Sequence, residues 1–145
     1  MQLLLQRVKF AKVEVAGASV GAIDRGLLVF VGLEPDDSEA ACVKAASRLV
    51  NYRVFQDSDD KMNASLLQVG GSLLLVSQFT LAADTHKGLR PSFSSAMHPA
   101  QAEPMFRYLV DQCRLLGVPV ETGVFGADMQ VTLQNDGPVT FSLTV

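Results

Sequence analysis

Apolar residues at the start of the chain come in short runs that favour strands over helices. Gln2–Phe10 and Lys12–Val15 are rich in Leu and Val, and the second run alternates apolar with polar positions, as a strand with one buried face does. Val20–Ile23 follows a short turn at Ala16–Ala18. Leu27–Val31 is apolar throughout, which is typical of a strand buried on both faces. The chain is therefore predicted to open with a sheet.

Two later segments carry apolar residues at helical spacing. Asp36 and Glu39 match a capping box ahead of a helix that should run to about Tyr52, and its apolar side holds Cys42, Val43, Ala46, Leu49 and Val50. Pro99 is predicted to open a second helix at its first position. Its apolar stripe ends before Gly117 and consists of Phe106, Leu109, Val110, Cys113 and Leu116.

The remaining apolar segments predict further strands. Ser65–Val69 and Ser72–Ser77 flank Gly70-Gly71, a combination that predicts a hairpin with a two-residue turn. Three more strands are predicted to close the chain, at Val118–Val120, Asp128–Leu133 and Val139–Val145. The pattern as a whole predicts one α+β domain over residues 1–145, with a compact, barrel-like, mostly antiparallel curled sheet and two covering helices.

Composition narrows the class of protein. The chain has 145 residues, a net charge of −3 and 48% hydrophobic residues, as expected of one ordinary globular domain. No apolar run reaches the ~20 residues that span a bilayer, and the first residues lack a secretion signal. Cys42 and Cys113 have no metal-like spacing and are expected to be reduced core thiols. A cytoplasmic protein is expected, and the net charge argues against binding to long duplex but not to a short single-stranded end.

The segment Gln78–Phe93 has little periodicity and is predicted to be a surface loop. A loop of this length in a compact domain is often functional. Lys87 and Arg90 lie in it, and two cations beside a strand end can receive a phosphate. The alternative is an ordinary solvated loop, which the residue types alone favour.

Parts of a hydrolase are present without a recognisable arrangement. Ser77 or Thr80 with His86 or His98 and with Asp84 gives a nominal Ser/His/Asp set, but no G-x-S-x-G nucleophile elbow accompanies it. Histidines in loops are more often solvated than catalytic. The separated cysteines and histidines give no metal ligand set, and the acidic run at residues 57–63 lacks the Glu and Gly of a calcium loop.

The segment Asn135–Thr140 contains the step Gly137-Pro138. Only an X–Pro bond is readily cis, and a Gly-Pro step leaves its carbonyl groups uncovered, so that a ligand can approach the backbone. The alternative is an ordinary Asp-Gly hairpin turn with Pro138 at the first position of a strand.

Two segments taken together carry a family resemblance. Ser77-Gln78-Phe79-Thr80-Leu81 and Asn135-Asp136-Gly137-Pro138-Val139-Thr140 strongly resemble the two signature motifs of bacterial-type D-aminoacyl-tRNA deacylases. The resemblance extends over essentially the whole chain, including the segments at residues 6–8, 70–71, 87–93 and 123–131. Leu89 departs from it, because the family often has a polar residue before the Arg-Pro-Ser-Phe that follows.

The resemblance implies an enzyme of chiral proofreading in translation, with no cofactor. It implies hydrolysis of the ester of D-aminoacyl-tRNA by a homodimer with active sites at the subunit interface. The Gly137-Pro138 bond would be cis and would project into the pocket of the other subunit. Its carbonyl groups would exclude an L-residue, whereas glycine, as in glycyl-tRNA mischarged on tRNA(Ala), would not be fully rejected.

The resemblance also implies roles for single residues. The backbone N–H groups of Phe79 and Thr80 are candidates for an oxyanion hole. Beside it, Gln78 and the Thr80 hydroxyl could hold the adenosine or the scissile carbonyl, and Ser77 is a further candidate catalytic residue. Thr80 is expected to form a hydrogen bond rather than to act as the nucleophile, because no activating base is evident. The neighbouring ribose 2′-hydroxyl is expected to take part.

Further residues are expected to contact the substrate. Phe125 and Met129 either line the pocket with Gly137 and Pro138 or pack in the core. The residues expected to contact tRNA at its acceptor end are Lys87, Arg90 and Arg7.

Overall fold

The computed structural model describes residues 1–86 and 88–145, so the predicted role of Lys87 lies outside the described residues. Eight strands, three α-helices and one 3-10 turn are found in this part of the chain. In chain order they are β1 (Gln2–Val15), β2 (Ala18–Ile23), β3 (Gly26–Gly32), α1 (Glu39–Asn51), β4 (Arg53–Gln56), β5 (Met62–Ser65), α2 (Leu66–Val69), β6 (Ser72–Ser77), the 3-10 turn (Phe79–Ala82), α3 (Pro99–Leu115), β7 (Val120–Thr122) and β8 (Gln130–Thr144).

The long strand β1 organises the sheet. One edge of β1 pairs antiparallel with β3 in its first half and with β2 in its second half, while the other edge pairs with β8. The order continues from β3 through β6 to β7 by parallel pairing. The curled sheet then nearly closes, because a Cβ atom built on Gly21 in β2 would collide with the carbonyl oxygen of Thr122 in β7. The predicted α+β, barrel-like fold is confirmed, with a mixed sheet.

Helices α1 and α3 pack against each other and cover one face of the sheet. Their apolar sides join Leu3, Leu5 and Leu75 in one core cluster. Cys42 on α1 and Cys113 on α3 are buried free thiols, as predicted, and burial raises their pKa to about 11 and about 12. No helix among the described residues has the length and apolar content needed to cross a membrane.

The predicted hairpin around Gly70-Gly71 is wrong. Ser65 and Gln68 form a capping box, each side chain bonding the backbone N–H of the other, and this starts the short helix α2. Gly70 ends α2 in the left-handed conformation with φ +63°, a conformation that glycine adopts without a steric cost. A third, short helix therefore stands where a strand was predicted.

The predicted cap of α1 is also wrong by two positions. Ser38 caps the helix by accepting a hydrogen bond from the N–H of Ala41. The neighbouring carboxylate of Asp37 is instead held by the amino group of Met1 at 2.7 Å and by the N–H of Glu34 at 2.8 Å. Met1, which lies 36 positions before Asp37 in the sequence, thus fixes the residues that precede the helix.

The last two predicted strands form one irregular strand, β8. Gln6 of β1 pairs with Thr140, and Val8 pairs with Asn135. Only Arg7 of β1 lies between these pairs, opposite residues 136–139 of β8. The segment that contains Gly137 and Pro138 therefore bulges out of the sheet instead of forming a hairpin turn.

Candidate active site

A cavity of about 580 Å³ opens at the carboxyl ends of the parallel strands β3 and β6. Its volume lies within the ordinary range of small-molecule sites. One wall is the segment that follows β6, a second is the start of α3, and a third is the loop before β8. The lining residues are Val31, Leu33, Ser77, Gln78, Phe79, Phe93, Ser94, Ala96, Met97, His98, Pro99, Ala102, Phe125, Gly126, Ala127 and Met129.

The chain turns sharply after β6, and this turn presents backbone N–H groups. Gln78 still donates its N–H to the carbonyl of Val31 in β3 at 2.8 Å. The 3-10 turn then begins at Phe79, and the first N–H groups of any helix lack partners within it. Within residues 1–86 and 88–145, the N–H groups of Phe79 and Thr80 have no hydrogen-bond acceptor. They form a pair of adjacent donors beside the cavity.

Gln78 and Thr80 are linked through their side chains. The Nε2 atom of Gln78 donates to the Oγ1 atom of Thr80 at 2.6 Å. The threonine hydroxyl is thereby an acceptor in one bond, so its own proton is directed elsewhere. Thr80 itself does not line the cavity but directly follows Phe79, which does.

The structure brings together five of the predicted site residues. Ser77, Gln78, Phe79, Phe125 and Met129 all line the cavity. The last two come from the loop between β7 and β8, more than forty positions later in the sequence. Phe125 and Met129 also pack against the two core clusters, so their positions agree with both predicted alternatives, pocket lining and core packing.

The Ser/His/Asp combination is not assembled. The ring Nδ1 atom of His86 lies 2.9 Å from Oδ1 of Asp84, and the backbone and ring N–H groups of His86 hold the pKa of Asp84 below its ordinary value. Both side chains are exposed and neither lines the cavity that Ser77 lines. No group of three His, Cys, Asp or Glu side chains among the described residues could hold a metal ion.

Arg7 braces the bulge that carries the Gly-Pro step. Its side chain is buried, with 7% of the residue exposed. Nε donates to the carbonyl oxygen of Asp136 at 3.0 Å, and Nη1 donates to the carbonyl oxygen of Val54 at 2.7 Å. The next peptide bond, Gly137–Pro138, is cis, as the resemblance implied.

Asn135 closes the same bulge from its other side. Its Oδ1 accepts the N–H of Val139 at 2.9 Å, and its Nδ2 donates to Oγ1 of Thr140 at 2.8 Å. Neither Gly137 nor Pro138 lines the cavity within the described part of the same chain. The Gly-Pro step is therefore flanked by hydrogen bonds on both sides and lies outside the cavity of its own chain.

Arg90 and Arg7, two of the residues predicted to contact tRNA, differ in their surroundings. Arg90 is exposed on a loop whose base is closed by two backbone hydrogen bonds between Asp84 and Ser92. Arg7 already donates to two carbonyl groups inside the chain. Contact of either residue with tRNA stays a prediction.

Sequence reasoning missed the contribution of the start of α3. Met97 and His98 line the cavity, whereas the sequence pattern favours a solvated loop position for His98. The predicted first helical position of Pro99 is confirmed, and it makes His98 the N-cap. The missing information was tertiary, because nothing local indicates that the start of α3 lies beside the end of β6.

Comparison with known proteins gives consistent matches over the whole chain. The family model described as D-Tyr-tRNA(Tyr) deacylase matches residues 4–144. The chain is 60% identical over 145 residues to a D-aminoacyl-tRNA deacylase of Shewanella loihica, with 100% of both chains covered. It is 63% identical over 143 residues to a D-aminoacyl-tRNA deacylase of Pseudomonas aeruginosa, with 99% of each covered.

Two solved structures share the fold. One is named c-Myc DNA Unwinding Element Binding Protein and has a TM-score of 0.96 and 38% identity, covering 100% of this chain and 99% of its own. The other is described as a probable eukaryotic D-amino acid tRNA deacylase and has a TM-score of 0.82, with 98% of each chain covered. At 18% identity, the second supports the fold alone.

Proposed function

Since the chain belongs to the D-aminoacyl-tRNA deacylase family, whose members are hydrolases acting on ester bonds, we propose that it hydrolyses the ester of D-aminoacyl-tRNA. The products would be free D-amino acid and tRNA, as in chiral proofreading. The observation that carries the proposal is the pair of N–H groups of Phe79 and Thr80 beside the cavity, which have no acceptor in the described part of the chain. Such a pair suits the oxyanion of an ester undergoing hydrolysis.

The chemistry depends on positioning. Water adds to the ester carbonyl carbon, and the resulting oxyanion accepts hydrogen bonds from Phe79 and Thr80. The bond to the ribose 3′-oxygen then breaks, and that oxygen takes up a proton, with the adjacent 2′-hydroxyl as a nearby proton carrier. No carboxylate lines the described cavity, which favours assistance by the substrate over a carboxylate base. Gln78 orients the Thr80 hydroxyl, so Thr80 positions the substrate rather than attacking it.

Selection against L-residues is assigned to backbone carbonyl groups. Gly137 and Pro138 have carbonyl oxygens that can accept the substrate amino group but leave no room for a β-carbon pointing at them. A D-residue directs its side chain away from them, and glycine has none to reject. The proposal therefore includes tolerance of many D side chains and some action on glycyl-tRNA mischarged on tRNA(Ala).

A homodimer would bring these carbonyl groups to the reacting ester. Since Gly137 and Pro138 do not line the cavity of their own chain, they would serve the cavity of a second copy. The strand β8 supports such an arrangement, because only one of its edges is paired within the described residues. A long strand with a free edge commonly pairs with, or is covered by, another chain.

The tRNA contact is proposed to be small and local. Arg90 and Lys87 belong to the segment that follows the cavity wall, where they would meet the acceptor end, while Arg7 is already engaged within the chain. With a net charge of −3, the chain should show a shallow dependence of binding on salt. A slope that implies roughly six or more phosphate contacts would contradict this. The proposed substrate implies a cytoplasmic location.

The direct test compares the two enantiomers. Purified protein is incubated with D-Tyr-tRNA and with L-Tyr-tRNA, and loss of the ester is followed over time. The proposal requires hydrolysis of the D-ester and little of the L-ester. Equal rates, or no hydrolysis of the D-ester, would contradict it, and enantiomer-specific binding without turnover would indicate a sensing module instead.

A further inference from the structure

His98 is at once the cap of a helix and part of the cavity wall. It immediately precedes Pro99, the first residue of α3, and its Nδ1 atom accepts the N–H of Ala100 at 3.3 Å. The same residue lines the cavity. The side chain is exposed, which puts it at the rim rather than at the bottom of the cavity.

The capping bond fixes which ring nitrogen is available. A neutral imidazole has one acceptor and one donor nitrogen, and a hydrogen bond to one nitrogen determines where the proton lies. In a neutral ring whose Nδ1 accepts from Ala100, the proton is on Nε2. Among residues 1–86 and 88–145, Nε2 of His98 has no hydrogen-bond partner. The ring therefore offers one oriented N–H donor.

His98 is chemically distinct from the rest of the cavity wall. It is the only titratable side chain among the described lining residues, and the other polar side chains there are Ser77, Gln78 and Ser94. The aromatic rings of Phe79 and Phe93 line the same cavity and meet edge to face, with centroids 5.1 Å apart. Exposed aromatic rings are surfaces on which single-stranded bases stack.

On the basis of the proposed function, we infer that His98 binds the terminal adenosine of the substrate by donating a hydrogen bond from Nε2 to a ribose oxygen or purine nitrogen. The ester is held at Phe79 and Thr80, so a group at the rim meets the part of the substrate beyond the ester. The rings of Phe79 and Phe93 provide the apolar surface against which the purine rests. His98 is thus a substrate-binding residue that sets affinity and takes no part in proton transfer.

The test separates capping from binding by two substitutions. His98→Asn keeps a good N-cap oxygen, and its amide Nδ2 donor lies nearer the backbone than Nε2 of histidine and so falls short of the same ligand atom. His98→Ala loses both the cap and the donor. The probe is a non-hydrolysable 3′-(D-tyrosylamino)-3′-deoxyadenosine, which contains the nucleoside without any phosphate. His98→Asn should leave the thermal midpoint unchanged and raise Kd about fivefold, the effect of one neutral hydrogen bond. With D-Tyr-tRNA, KM should rise similarly while kcat stays within about twofold.

The second histidine of the chain supplies the matched control. His86 is exposed and lies outside the cavity lining, so His86→Asn should bind the nucleoside probe as the wild type does. An unchanged Kd in His98→Asn would overturn the inference, as would an effect confined to whole tRNA. If the rise in Kd parallels the fall in thermal midpoint across His98→Asn and His98→Ala, His98 acts only as a helix cap, and the inference is overturned.

A large fall in kcat without a change in affinity would also overturn the inference, in favour of proton transfer. The proposed function has its own readout. If the wild type hydrolyses D-Tyr-tRNA and His98→Asn changes nothing, only the role of His98 fails. If the wild type neither hydrolyses D-Tyr-tRNA nor binds the probe, both fail.

Discussion

Arg7 and Asp136 are 129 positions apart in the chain, yet Nε of Arg7 donates a hydrogen bond to the carbonyl oxygen of Asp136 at 3.0 Å. This contact is made directly before Gly137 and Pro138, and a second bond from Arg7 to Val54 fixes the guanidinium itself. The bulge in β8 is therefore held by a buried side chain of the neighbouring strand. The carbonyl groups of Gly137 and Pro138, which are proposed to exclude L-residues, therefore depend on the Arg7 side chain for their position.

Replacement of Arg7 should loosen the bulge and lower selectivity together. Arg7→Ala leaves two carbonyl groups unpaired and should cost about 1–3 kcal/mol of unfolding free energy. Arg7→Lys keeps the charge but cannot donate to both carbonyl groups with the same geometry. Both variants should hydrolyse L-Tyr-tRNA relatively faster, measured as the ratio of D to L rates. Arg107→Lys, at an exposed surface pair, is the control, and an unchanged ratio in both Arg7 variants would argue against bracing by Arg7.

A side chain at Gly137 should disturb the same bulge. Gly137 has φ +138°, and a Cβ atom there would lie 2.7 Å from Cγ2 of Val139 and 3.1 Å from Nη2 of Arg7. Gly137→Ala should therefore lower stability by about 1–3 kcal/mol and reduce hydrolysis of D-Tyr-tRNA.

The matched control for this substitution is Gly17→Ala, on the turn after β1. Gly17 also has a positive φ, of +80°, but a Cβ atom added there would meet nothing within 4 Å. The variant should lose stability through backbone strain and keep its turnover per folded molecule. Equal loss of turnover in both variants would indicate a general effect of strain.

Thr80 is predicted to position the substrate. Thr80→Ser keeps the hydroxyl that accepts from Gln78 and should retain most of the rate. Thr80→Ala should lower kcat about 10- to 100-fold, as the loss of one or two oriented hydrogen bonds would. Mass spectrometry of the wild type during turnover should reveal no acylated Thr80. Recovery of an acyl-Thr80 adduct would make it the nucleophile.

Local sequence patterns predicted the elements that depend on local chemistry. The run Leu27–Val31 and the helix that begins at Pro99 are where the patterns indicated. The cap of α1 was predicted two positions too early, although Ser38 makes a local contact by accepting from the N–H of Ala41, three positions on. The missed helix α2 has a local cause: Ser65 and Gln68 form a capping box that the Leu- and Val-rich run obscured.

Single residues of the candidate site could be predicted from sequence motifs, but their arrangement in space could not. The resemblance of the two motifs to those of the family led to the prediction of Gln78, Thr80 and Gly137 as site residues. The contributions of His98 and Arg7 depend on contacts that cross the sheet, namely the start of α3 beside the end of β6 and the bond from Arg7 to Asp136. No periodicity encodes such contacts.

The amino group of Met1 should make stability depend on pH at both ends of the range. Burial opposes its charge, but hydrogen bonds to Asp37 and Glu34 outweigh burial and raise its pKa above the ordinary 8.0. That stabilisation is complete below pH 8.0 and is lost as the pH rises through the folded-state pKa. The hydrogen bond from the amino group also holds the pKa of Glu34 below the ordinary 4.5. The stabilisation that the Glu34 carboxylate contributes is therefore complete above pH 4.5 and is lost as the pH falls through its lowered pKa.

Thermal midpoints of Glu34→Gln across this pH range check the assignment. The variant should have a lower thermal midpoint than the wild type near neutral pH, and its thermal midpoint should fall less on acidification. Glu14→Gln removes an exposed partner of Lys12 and should change little, because surface pairs contribute little. Identical pH profiles for Glu34→Gln and the wild type would contradict a role for this ion pair.

Thr80 of one subunit and Gly137 of another are proposed to complete one active site, and a mixed dimer tests this most directly. Thr80→Ala and Gly137→Ala chains, carrying different tags, are co-expressed, and the mixed dimer is isolated and assayed with D-Tyr-tRNA. One of its two sites then has both native residues, so about half of the wild-type activity is expected, although both parent dimers are nearly inactive. A mixed dimer as inactive as its parents, or a wild-type chain that is active as a monomer, would contradict a site shared between subunits.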